Sequence, residues 1–61
     1  MESEYSPVVR EAQRIVATQA DCSLDEAIAL MENTAEVTSA SLEFIAAEVV
    51  AGRVSFDTSE T

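Results

Sequence analysis

The sequence has no lysine, no histidine and no tryptophan, and each absence removes a class of function. Without histidine or lysine, and without a glycine-rich phosphate loop, the chain lacks the general bases, Schiff-base amines and phosphate cradles on which most enzymes depend. Catalysis is therefore not expected. A single cysteine, Cys22, cannot close an internal disulfide, so no covalent staple supports the core and a reducing cytoplasm is the expected setting. Aromatic residues number only three, Tyr5, Phe44 and Phe56. A sheet usually draws on more aromatic and β-branched side chains, which leaves close-packed helices of Ala, Val, Ile, Leu and Met as the expected core. The longest apolar run, Ile45 to Ala51, is broken by Glu48 and is much too short to cross a bilayer. Neither a membrane span nor a signal peptide is expected.

Basic residues are as scarce as aromatics. Twelve acids face only Arg10, Arg14 and Arg53, giving a formal net charge of −9. Nucleic-acid binders normally carry the opposite sign, because neutralising phosphates supplies most of their non-specific affinity. The charge favours solubility and basic protein partners, and it argues against DNA and against an anionic membrane. At 61 residues there is room for one domain, whose core hides only about 60% of the surface of the unfolded chain. Such a domain has little margin against backbone entropy, and self-association as a homodimer is one expected remedy.

What remains is a strong helical pattern. Residues 1–5 are polar and expected to fray. Ser6-Pro7 then offers a capping hydroxyl followed by a proline at the first helical position. Val8, Val9, Ala12, Ile15 and Val16 recur on one helical face, and the pattern fades at Gln19-Ala20-Asp21 with no glycine or proline to mark the stop. Ser23-Leu24-Asp25-Glu26 reads as a capping box, with Cys22 and Ala27 placed for a hydrophobic staple. Leu24, Ala27, Ile28, Met31 and Ala35, widened by Leu30, form the second apolar face. The run Val37-Thr38-Ser39-Ala40-Ser41 lowers helix propensity and supplies hydroxyl caps for the next element. Leu42, Ile45, Ala46, Val49 and Val50 make a third face, closed by Gly52 as a left-handed cap with Val54 folding back. The expectation is an all-α three-helix bundle with helices near 7–20, 24–37 and 41–51, a domain over 6–54, and an acidic tail over 55–61 that is largely disordered, with Phe56 able to tuck against the bundle.

Candidate sites are few. Cys22 sits beside Asp21, Asp25 and Glu26, whose negative charge raises a thiol pKa, so it reads as a packing residue rather than a nucleophile. Asp21, Asp25 and Glu26 lack the alternating ligands and central glycine of a calcium loop, and the last two suit the positive end of a helix dipole. No metal or cofactor is expected. Glu32 and Glu36, one turn apart, read as a solvated face or, more sharply, as a site for a basic partner. Arg10 and Arg14 are also one turn apart and could grip a phosphate, although Glu11 is spaced to pair with Arg14.

Taken together, Ala12, Ile15-Val16, Cys22-Ser23-Leu24-Asp25-Glu26-Ala27, Leu30-Met31, Leu42 and Ile45-Ala46-Ala47-Glu48-Val49-Val50 resemble, without gaps from Val9 to Gly52, the ANTAR family of RNA-binding modules in bacterial antitermination regulators. The resemblance implies a three-helix fold that binds RNA stem-loops, with Gln13, Arg14, Asn33, Ser39 and Ser41 at the positions matched to the family's RNA-facing surface. The chain departs from the family where lysine followed by glycine is replaced by Gln13-Arg14, and in lacking a basic residue near Asn33. The acidic balance supports a different reading, a protein-interaction or dimerisation module built on the same scaffold. A ubiquitin-binding-like domain is a third, disfavoured by the missing glycine-containing loop between the first two helices.

Overall fold

A computed structural model describes residues 5–56, and among them the fold is three helices and no strand: α1 (Pro7–Ala20), α2 (Leu24–Thr38) and α3 (Leu42–Val50). Each helix touches the other two. All three lie within a residue of the expected bounds. The small shift at the end of α2 has a local cause: the Thr38 hydroxyl donates to the Thr34 carbonyl at 2.8 Å, which holds a β-branched residue in the last turn.

The core consists of Val9, Ala12 and Val16 from α1, Ala27, Ile28, Met31 and Ala35 from α2, and Ile45, Ala46 and Val49 from α3. Four of these ten are alanines, so helix backbones approach closely and the larger Met31, Val9 and Val16 fill the space between them. No polar or charged residue is buried among the described residues. Some residues assigned to the apolar faces lie outside this core. Val8, Ile15 and Leu42 only line its edge. Leu24, Leu30 and Val50 are exposed, because among the described residues no fourth element covers their side of each helix. Tyr5, placed in the frayed N-terminus by its neighbours' polarity, packs against the core edge. Phe56 does the same, and its amide donates to the Gln19 side-chain carbonyl at 2.9 Å, which ties the segment after α3 to the last turn of α1. Residues 1–4 and 57–61, the remainder of the expected frayed ends, lie outside the described residues.

The helix starts differ from one another. Ser23 accepts from the Glu26 amide at 3.1 Å, and Ser41 accepts from the Phe44 amide at 3.0 Å. The return half of the capping box, from the Ser23 amide to the Glu26 carboxylate, is not formed. Ser6 departs further from expectation. Its backbone is extended as at a cap and its carbonyl accepts from Arg10 at 3.0 Å, but its hydroxyl caps nothing and is buried without a partner.

The helix stops, by contrast, are alike. Asp21, Ser39 and Gly52 all take positive φ, at 55°, 59° and 84°. In each case the next amide reaches back over the last turn: Cys22 to the Ala17 carbonyl at 3.0 Å, Ala40 to Ala35 at 2.8 Å and Arg53 to Glu48 at 2.8 Å. These are Schellman-type ends that satisfy otherwise orphaned carbonyls. Only the third uses glycine, so the first two hold L-residues in a strained region.

Two sets of substitutions test this description by urea or thermal unfolding. Ser39→Gly relieves strain and should stabilise by about 0.5–1 kcal/mol, whereas Gly52→Ala, though no atom lies within 4 Å of the added Cβ, should cost about 1 kcal/mol. Ser23→Ala and Ser41→Ala should each cost about 1 kcal/mol, while Ser6→Ala, which removes an unsatisfied buried hydroxyl, should be neutral or stabilising.

Candidate nucleic-acid interface

The N-terminal part of α1 carries Arg10, Glu11 and Arg14 on an exposed face, and this face borders an open groove of about 300 Å³ lined by Pro7, Arg10, Glu11, Gln13, Arg14 and Leu24. Helical spacing explains the gathering. Pro7, Arg10 and Arg14 follow i, i+3, i+7 steps along one side of α1, and Gln13 turns toward the start of α2. Its side-chain amide donates to the Leu24 carbonyl at 3.0 Å, joining the two helices at the floor of the groove. Leu24 thus stays half-exposed as a groove wall.

The Arg14 guanidinium lies 3.5 Å from the Glu11 carboxylate, with side chains 72% and 54% exposed respectively. A pair this long and this wet contributes well under 1 kcal/mol. Arg14 is therefore held only loosely and can turn to an anion. Arg10 is exposed one turn away. The third arginine, Arg53, is committed elsewhere, pairing with Glu48 at 3.1 Å below the end of α3.

The five positions matched to the family's RNA-facing surface do not converge on one site. Gln13 and Arg14 meet in the α1 groove. Asn33 is exposed on α2, about half a turn around the helix from Leu24 and roughly 13 Å along it. Ser39 and Ser41 lie at the α2–α3 corner, where both already have local work: Ser39 is the left-handed stop of α2 and Ser41 the cap of α3. Their identities are thus explained by chain geometry. Pro7 and Leu24 were not candidates from sequence, since a helix-starting proline and an apolar-face leucine carry no signal of a groove between two helices. Arg10 was visible through its spacing from Arg14.

Among the described residues, no three Cys, His, Asp or Glu side chains gather as a metal would require. Asp25 and Glu26 occupy the first turn of α2 and Asp21 is the stop of α1. Cys22 is half-buried and packs against the core edge. Burial pushes its thiol pKa up, and the carboxylates of Glu26 and Asp21 push it further in the same direction.

No family model, no curated protein and no solved structure matches the chain. Among the described residues, no helix is long and apolar enough to cross a membrane.

The Cys22 environment has a measurable consequence. Iodoacetamide should alkylate the folded protein more slowly at neutral pH than it alkylates free N-acetylcysteine, with a rate that climbs at a pH above the free thiol's own midpoint. Because the folded state holds the proton more tightly, the associated stability is present below the unfolded thiol's pKa and is lost as pH rises through the folded value. Equal rates for the folded protein and the free thiol would contradict the assigned environment.

Proposed function

We propose that this chain is an ANTAR-like RNA-binding module of transcription antitermination, acting in the cytoplasm and taking RNA stem-loops as its partner. The observation that carries the reading is the α1 groove, where Arg10 and Arg14 stand one turn apart on an open face and only a loose, exposed ion pair competes for one of them. Two guanidinium groups at this spacing suit two successive phosphates of a backbone, and Gln13 and Leu24 between the helices give polar and apolar edges beside them. The resemblance of residues 9–52 to the family is the second support for the reading.

The acidic remainder limits this activity. With a net charge of −9, long-range attraction to RNA is absent, so affinity must come from the few contacts at the groove and will be modest. A second reading, that the scaffold serves protein interaction, is supported by the same charge and by exposed apolar side chains such as Val37, 76% exposed, and Phe44, 55% exposed. A strict monomer that draws no protein partner in a pull-down would count against that reading.

Fluorescence polarisation with a tandem-hairpin RNA separates the two. At about 50 mM salt the RNA reading requires micromolar binding that weakens as salt rises. Arg10→Ala and Arg14→Ala should each weaken binding several-fold and reduce the log–log salt slope by about 1, as expected for the loss of one phosphate contact. Absence of binding at micromolar protein, or binding indifferent to salt, would sink it.

A further inference from the structure

One residue of the α1 groove works against an anionic ligand. Glu11 lines the groove with Arg10, Gln13 and Arg14, and its carboxylate is the one anionic group among the lining residues. It follows Arg10 directly in sequence and stands three residues before Arg14, whose guanidinium lies 3.5 Å from its Oε1. The groove therefore holds two cations and one anion, so it carries a small positive charge in a chain of net charge −9. Both partners of the pair are more than half exposed and neither is fixed by burial. Among the described residues no carboxylate pairs with Arg10.

We infer that Glu11 is a built-in counter-anion that limits phosphate binding in this groove and so sets how much of the affinity comes from charge. The inference rests on the reading of the groove as a phosphate site. The ion pair itself is too weak to shut the groove, because a long and exposed contact contributes little. Its effect falls on the ligand. A phosphate that reaches Arg14 takes the place of the Glu11 carboxylate and then sits within about one helical turn of it, whereas a phosphate at Arg10 displaces no ion pair. Like charges at this separation repel even in water, and the repulsion acts on every phosphate of a backbone that spans the two arginines.

The consequence is selective. With the contribution of charge cut back, an anion that touches only the arginines binds weakly, and further affinity must come from contacts with the Gln13 amide and the exposed Leu24 wall. Generic polyanions offer phosphates and little else. A neutral side chain of the same shape at position 11 raises the charge of the groove and leaves its walls in place.

Fluorescence polarisation with the tandem-hairpin RNA and isothermal titration with pyrophosphate, both at about 50 mM salt on the full chain, test it. Glu11→Gln, an exchange between two good helix formers, should keep the circular dichroism of the parent and tighten both ligands about three- to tenfold, with the gain shrinking as salt rises. Glu36→Gln makes the same change in net charge at a residue that does not line the groove, and should move either affinity by less than about twofold. Should Glu11→Gln lose helicity, Glu11→Ala takes its place with the same expected gain. RNA that binds the parent and Glu11→Gln equally, or a gain from Glu36→Gln as large as that from Glu11→Gln, overturns the inference and leaves the RNA reading standing. Pyrophosphate that follows the expected order while RNA binds no variant upholds the inference and overturns the RNA reading. Binding of neither ligand to any variant overturns both.

Discussion

Three left-handed residues decide where this chain turns, and the rest of the structure depends on them. A core built on four alanines works only if helices come close, and close helices require abrupt ends and short connections. Asp21 and Ser39 supply those ends at two corners, leaving two residues, Cys22 and Ser23, before α2, and again two, Ala40 and Ser41, before α3. The serines at 23 and 41 then start the next helices within a single residue of the packed corner. Stop and start are thus compressed into three consecutive positions twice over, Asp21-Cys22-Ser23 and Ser39-Ala40-Ser41. The middle residue of each trio, Cys22 or Ala40, packs against the core edge. The likeness of the two corners is a consequence of one geometric problem solved twice, and it gives Cys22 a structural role that needs no reactivity.

The same economy explains how the charge is arranged. With no buried polar residue among those described, their ionised groups lie at the surface or its edge, and the helices differ sharply in sign. α1 carries two arginines against one glutamate, α2 carries four carboxylates and no cation, and α3 is nearly uncharged on its outer side. A net charge of −9 therefore describes no single face of the molecule. The acids of α2 hold off anionic partners from that side and keep it solvated, while the groove on α1 remains open to them.

Much of this architecture was legible from the sequence. Helical periodicity placed all three helices because apolar residues at 3.6-residue spacing leave little choice in so short a chain. Pro7, the Ser23 segment and Gly52 marked boundaries through local chemistry that does not depend on the rest of the fold. The stops at Asp21 and Ser39 were less visible. Aspartate and serine can adopt positive φ but seldom announce it, so the sequence showed a fading pattern rather than a turn. Ser6 went the other way: its type and position promised a cap, but the hydroxyl turned inward, a side-chain choice set by tertiary surroundings. Exposure of Leu24 and Val50 was hidden for a similar reason, since periodicity shows which side of a helix is apolar but not how wide a strip its neighbours cover.

The candidate site was the least legible part because its residues are held by relations between helices. Arg10 and Arg14 could be paired by spacing alone, but the groove lies where the start of α2 packs beside α1, with Gln13 donating to the Leu24 carbonyl at its floor. Family matching selected Ser39 and Ser41 as surface positions, and the structure gives each a backbone task that would fix its identity in any three-helix module with these corners. Resemblance at such positions therefore carries information about the scaffold more than about the ligand. The weight of the functional reading falls on the arginines of α1, whose only side-chain partner among the described residues is Glu11, which pairs loosely with Arg14.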